Sequence, residues 1–175
     1  MNSTFQNTLK QLSFKTFYHN QIATFGYDDL FADRRVIVFS ITNVRTICSG
    51  EHLRSYRTSY SQLQEHGIDN VYVVDSTDWL IGPYIDKRAP DLKGLPDRDM
   101  AFVRAVADHY DYQKNTTELA RYWQYVIIIN NGKPEKLWHN PFNANAPLRI
   151  LKNPAYRYRK LSADNVLQYL VDNTK

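Results

Sequence analysis

Cysteine is nearly absent from this chain: one residue, Cys48, in 175. A single thiol excludes an internal disulfide and any zinc site built from several cysteines. Long apolar runs are missing too. No stretch approaches the ~18 apolar residues of a membrane span, and Met1 to Leu12 is polar, with no apolar leader core. Charge of one sign is not massed: Lys and Arg number 22 against 18 Asp and Glu, a net +4. The nearest basic patch, Arg157-Tyr158-Arg159-Lys160, reads as a solvated loop and not as a nucleic-acid contact. His19, His66, His109 and His139 lack the spacing of metal-ligand pairs. Repeats and low-complexity segments are absent. The expectation is a soluble protein of a reducing compartment, the cytoplasm, with no metal, cofactor, nucleic acid or membrane among its partners.

What is present suits one globular domain spanning 1–175. Hydrophobic residues make up 43%, charged residues 23% and aromatics 14%, which argues against disorder. Residues 14–27 alternate apolar and polar and predict a β-hairpin. Arg35 to Ile41, Asn70 to Asp75 and Tyr125 to Asn130 are short β-branched runs, the pattern of strands buried on both faces. Between the first two, Leu53, Tyr56, Tyr60 and Leu63 recur at helical steps, predicting a helix from about Cys48 to His66 that Gly67 closes. That is a β–α–β unit with a parallel strand pair. Residues 78–88 read as a short helix interrupted at Gly82-Pro83. Met100 to His109 reads as helix. Asn131-Gly132 predicts a tight turn back through Lys136 to Trp138. Residues 139–160 read as a loop, and Ser162 as the cap of a last helix. A central mixed sheet with helices on both faces and an N-terminal β-hairpin, the thioredoxin-like α/β order, satisfies this.

Cys48 falls where the first buried strand gives way to a helix. Unpaired backbone N–H groups and the helix dipole favour an anion there, so a thiol at that place is more acidic than the usual ~8.5. The residues alone leave two readings open: a small buried hydrophobe, or a reactive thiolate.

The segment Val36 to Tyr56, with Cys48, Ser49, His52 and Leu53, resembles the active-site region of the peroxiredoxins, nearest the branch of hybrid peroxiredoxin–glutaredoxin proteins. That family places Pro-x-x-x-Thr-x-x-Cys before a helix with Ser-x-x-His-Leu. Four further segments follow in register: Val73 to Asp78, Leu95-Pro-Asp97 with Ala101-Phe102, Tyr125 to Gly132, and Ser162 to Leu170. The family's Pro falls on Ile41, its Thr on Arg45 with Thr46 one place late, and its Arg on Gln124 with Arg121 three residues upstream.

The resemblance implies a thiol peroxidase in which Cys48 attacks hydrogen peroxide or an organic hydroperoxide. Thr46, Arg45 and Arg121 are then the candidate stabilisers of thiolate and peroxide, and His52 a shaper of the substrate pocket. A lone cysteine implies a 1-Cys cycle that needs an external thiol: glutathione, a glutaredoxin or a thioredoxin. The family also implies a homodimer. The alternative is a degenerate member acting as a redox sensor or partner-binding module.

Overall fold

The structure, a computed structural model, describes residues 2–41, 47–76, 80–111, 123–140 and 161–173; of residues 2–3 and 47–49 it describes the backbone alone. The elements in chain order are α1 (Asn2–Gln11), β1 (Phe14–Tyr18), β2 (Gln21–Phe25), α2 (Tyr27–Leu30), β3 (Arg35–Ser40), α3 (Ile47–Thr58), α4 (Tyr60–Glu65), β4 (Asn70–Asp75), α5 (Ile81–Arg88), β5 (Lys93–Pro96), α6 (Ala101–His109), β6 (Tyr125–Asn130), β7 (Lys133–His139) and α7 (Ala163–Asn173).

β1 and β2 form a separate antiparallel hairpin, and the other strands form one sheet in the order β5-β4-β3-β6-β7. β3, β4 and β5 are parallel; β6 runs antiparallel to β3, and β7 to β6. This is the mixed sheet flanked by helices, with an N-terminal hairpin, that the sequence predicts.

The two-residue period of the strands divides the core into two layers. Ile37, Phe39, Val71, Val73, Val126 and Ile128 face α3, α4, α5 and α7. Val36, Val38, Tyr72, Val74, Ile127 and Ile129 face α1, α2 and α6. The central strands are thus covered on both sides, which is why they read as continuous apolar runs. No helix among the described residues is long and apolar enough to cross a membrane.

Several boundaries differ from the sequence reading. The helix expected over 48–66 is two helices, α3 and α4, divided at Ser59. Gly67 closes the second with φ +79°, its N–H donating to the Gln64 carbonyl at 3.0 Å. Pro83 does not interrupt α5. It is the third residue of the helix, where the missing N–H has no intrahelical acceptor to lose. Gly82 is there for space: a Cβ on it would run into the Thr16 hydroxyl and come within 2.7 Å of the Phe17 nitrogen. α1, α2 and β5 escape the sequence patterns. α1 has only Phe5 and Leu9 as buried anchors, and β5 is a four-residue strand carrying both a glycine and a proline.

Gly94 brings β5 against α5. A Cβ there would lie 2.6 Å from the Ile81 carbonyl oxygen and 2.9 Å from its carbon. These are backbone atoms and cannot rotate away. Gly94→Ala is therefore expected to cost about 1–3 kcal/mol, read as a lower urea midpoint at unchanged slope.

Candidate functional site

In open α/β sheets, sites gather outside the carboxyl ends of the parallel strands. Here that edge holds the ends of β3, β4 and β5, the start of β6 and the end of β7. Buried polar groups collect there. The Ser40 hydroxyl donates to the Trp123 carbonyl at 2.8 Å and accepts the Tyr125 N–H at 2.9 Å. Asp75 and Gln124 are buried. The Asp97 N–H donates to the Asp75 carbonyl at 3.0 Å. Trp123 packs against Tyr125 and His139, with ring centroids 4.8 and 5.7 Å apart.

Only residues 42–46 separate Ile41, at this edge, from the first residue of α3. Cys48 is the second residue of that helix. Its first turn leaves unsatisfied N–H groups and the positive dipole end at the thiol's end of the helix. The first turn contains no Asp or Glu to offset that field. The Cys48 side chain, and the candidates Arg45, Thr46 and Arg121, lie outside the described residues, as do Asp78 and all but the first two residues of the loop expected over 139–160; of those two, His139 is the last residue of β7 and not loop.

His52 is one turn beyond Cys48, on the same helix face. It is buried, with its ring 4.7 Å from the Phe39 ring and 5.4 Å from the Tyr56 ring. Its Nε2 lies 2.9 Å from the Leu161 carbonyl oxygen. A carbonyl only accepts, so Nε2 carries the proton. Burial lowers the His52 pKa to about 4, against a smaller opposing pull from that carbonyl. The ring is therefore neutral near pH 7. Tyr56 donates its hydroxyl to the same carbonyl at 2.8 Å, and the Ser55 hydroxyl accepts the Ala163 N–H at 3.0 Å. Three residues of the Cys48 helix thus hold the start of α7.

The position to which the resemblance assigns the family's arginine is occupied by Gln124, and it is buried. Asn140 donates from Nδ2 to the Gln124 side-chain oxygen at 3.2 Å and from its backbone N–H to the Gln124 carbonyl at 3.1 Å. An amide pair closes the β6–β7 hairpin there. Sequence reasoning missed the roles of Ser40 and Asn140, because their partners are 83–85 and 16 residues away in sequence.

Asp97 has a structural task. Its carboxylate accepts the N–H groups of Phe102 at 3.1 Å and Val103 at 3.0 Å, holding the first turn of α6. Burial pushes its pKa up, while those amides pull the other way. Asp97→Ala would leave buried donors without acceptors. The expected loss is about 2–3 kcal/mol, measured by urea unfolding, with the α6 amides losing hydrogen-exchange protection first. A groove of about 680 Å³ lies between β1, the start of α5 and the β5–α6 connection. No described residue of α3 lines it.

No protein-family model matches the chain. Among curated proteins, it is 28% identical over 147 residues to a peroxiredoxin of Synechocystis sp., covering 82% of this chain and 74% of that protein. It is 24% identical over 178 residues to a hybrid peroxiredoxin of Haemophilus influenzae, covering 97% and 67%. Among solved structures, reduced Prx3 of Vibrio vulnificus in complex with hydrogen peroxide superposes with a TM-score of 0.67 at 20% identity, covering 93% of this chain and 95% of that one. The likeness in structure shows the thioredoxin-like α/β fold.

Proposed function

We propose that this chain, whose curated relatives are peroxiredoxins, is a thiol peroxidase with Cys48 as the reacting group. The single observation that carries the reading is the place of the only cysteine: the first turn of a helix that starts at the carboxyl edge of the parallel strands. The thiolate attacks one peroxide oxygen as the O–O bond breaks. Cys48 is oxidised to a sulfenic acid, and the other oxygen leaves as hydroxide or alkoxide. Thr46, Arg45 or Arg121 would donate to the developing charge. Neutral His52, with Nε2 committed to Leu161, shapes the wall of the site and does not transfer a proton from that nitrogen.

A lone cysteine has no intramolecular resolving partner. An external thiol condenses with the sulfenic acid, releasing water, and a second thiol frees Cys48 as the reductant's disulfide leaves. Glutathione, a glutaredoxin or a thioredoxin fits that step. The cycle suits the cytoplasm, and the protein is read as one domain working as a homodimer.

Gln124 favours a second reading. A buried amide replaces the cation expected beside the thiolate, which suits a slow redox sensor. The two readings separate in one assay: reduced protein and equimolar peroxide, followed by intact mass over time. A one-oxygen gain at Cys48 within seconds at micromolar peroxide is expected of the peroxidase. A gain needing many minutes supports the sensor, and no gain at all overturns both.

A further inference from the structure

A second feature lies on the outer side of α3, away from the His52 face. Arg54 and Arg57 of α3 and Arg88 at the end of α5 line one pocket of about 260 Å³ with Gly50, Leu53 and Tyr84. The two helices are far apart in sequence, so tertiary packing assembles the site. No ion pair joins any of the three arginines to a described carboxylate.

Three arginines line one small pocket, and Arg54 and Arg57 stand at a helical i, i+3 spacing where like charges are unfavourable. Two of them are nonetheless held in place. Arg57 donates from Nη1 to the Arg88 carbonyl at 3.0 Å. Arg88 lies over the Tyr84 ring, 5.0 Å from its centroid. Both also stand in the last turns of their helices, where positive charge is favoured. Arg54 has neither reason. It is exposed and makes no hydrogen bond with its side chain to a described residue. Leu53, which is buried, and the half-buried Tyr84 supply apolar wall beneath the charges.

We propose that the Arg54–Arg57–Arg88 pocket is a binding site for a small polyanion carrying carboxylate or phosphate groups. Guanidinium forks match both groups in bidentate geometry, and orientation fixed before binding lowers the ordering cost. Neither the proposal nor its test depends on the peroxidase reading.

The test is a nuclear magnetic resonance titration of the whole protein at constant ionic strength. The probes are pyrophosphate for the phosphate source and S-methylglutathione for a peptide with two carboxylates, with sodium chloride as the blank. Saturable shifts at the Gly50 and Tyr84 amides are expected, with a dissociation constant near or below ~1 mM. Arg54→Gln, Arg57→Gln and Arg88→Gln are each expected to weaken binding roughly 5- to 10-fold. Saturation by pyrophosphate alone identifies a phosphate ligand; saturation by S-methylglutathione alone identifies a peptide carboxylate ligand; saturation by both identifies a general oxyanion site. Shifts that stay linear with both probes, or that persist unchanged in Arg54→Gln, overturn the proposal. Arg54→Gln carries that decision because its side chain has no bond in the fold to lose.

Discussion

Cys48→Ser is expected to reduce thiol-dependent peroxide consumption to the uncatalysed background while leaving the fold intact. The exchange replaces sulfur with a smaller oxygen in a first helical turn, where serine is well tolerated. Its chemical effect is total. The nucleophile in this chemistry is a thiolate, and the helix start can favour ionisation of a group whose pKa begins near 8.5 but not of an aliphatic hydroxyl. No other residue can substitute, because the chain holds no second thiol. The assay is loss of hydrogen peroxide with glutathione in excess, with circular dichroism as the check on folding. Turnover surviving in Cys48→Ser would assign the chemistry to another group.

The second large effect is on stability. The His52 pKa is about 4 in the folded protein, against 6.5 for an unburied histidine. The unfolded chain therefore takes up a proton between those values that the folded chain refuses. Stability is fully present above pH 6.5 and falls as the pH drops, by about 1.4 kcal/mol per unit. The loss totals on the order of 3 kcal/mol and levels off below about pH 4, where the folded ring protonates as well. The cause is burial between Phe39 and Tyr56. His52→Gln removes the titration, so its unfolding free energy is expected to be nearly flat across that window after the common background is subtracted. His109 is also shifted down by burial, but it titrates in both proteins and cancels in the difference. Urea unfolding at several pH values checks this; parallel curves for the two proteins would contradict the burial argument.

The two effects concern residues whose visibility in the sequence differed. The strands that carry the fold were legible because β3, β4 and β6 are covered on both faces, so every side chain in the run had to be apolar. The position of Cys48 was legible for the same reason: the end of such a run and the start of an amphipathic pattern bracket a strand-to-helix junction. α1 was hidden because Phe5 and Leu9 are the only buried apolar side chains among its described residues. β5 was hidden because its identity comes from pairing with β4 and from the space that Gly94 leaves for α5. His52 was visible as a pocket residue through resemblance. Its tautomer and low pKa were not: the tautomer depends on a carbonyl 109 residues away, and the low pKa on burial that only the folded core supplies. The pairing of Gln124 with Asn140 likewise needs the β6–β7 hairpin closed before the two side chains meet.

The central claim is that Cys48 is the reacting nucleophile, activated by its place at the start of α3. The most direct test is the second-order rate constant for oxidation of reduced protein by hydrogen peroxide, measured by stopped flow across pH and set beside free cysteine. Oxidation at Cys48 is expected to be at least roughly 10³-fold faster than that of free cysteine at neutral pH, as for a thiolate with preorganised donors, with an apparent pKa below the ordinary thiol value. A rate equal to that of free cysteine, with an unshifted pKa near 8.5, would contradict that claim.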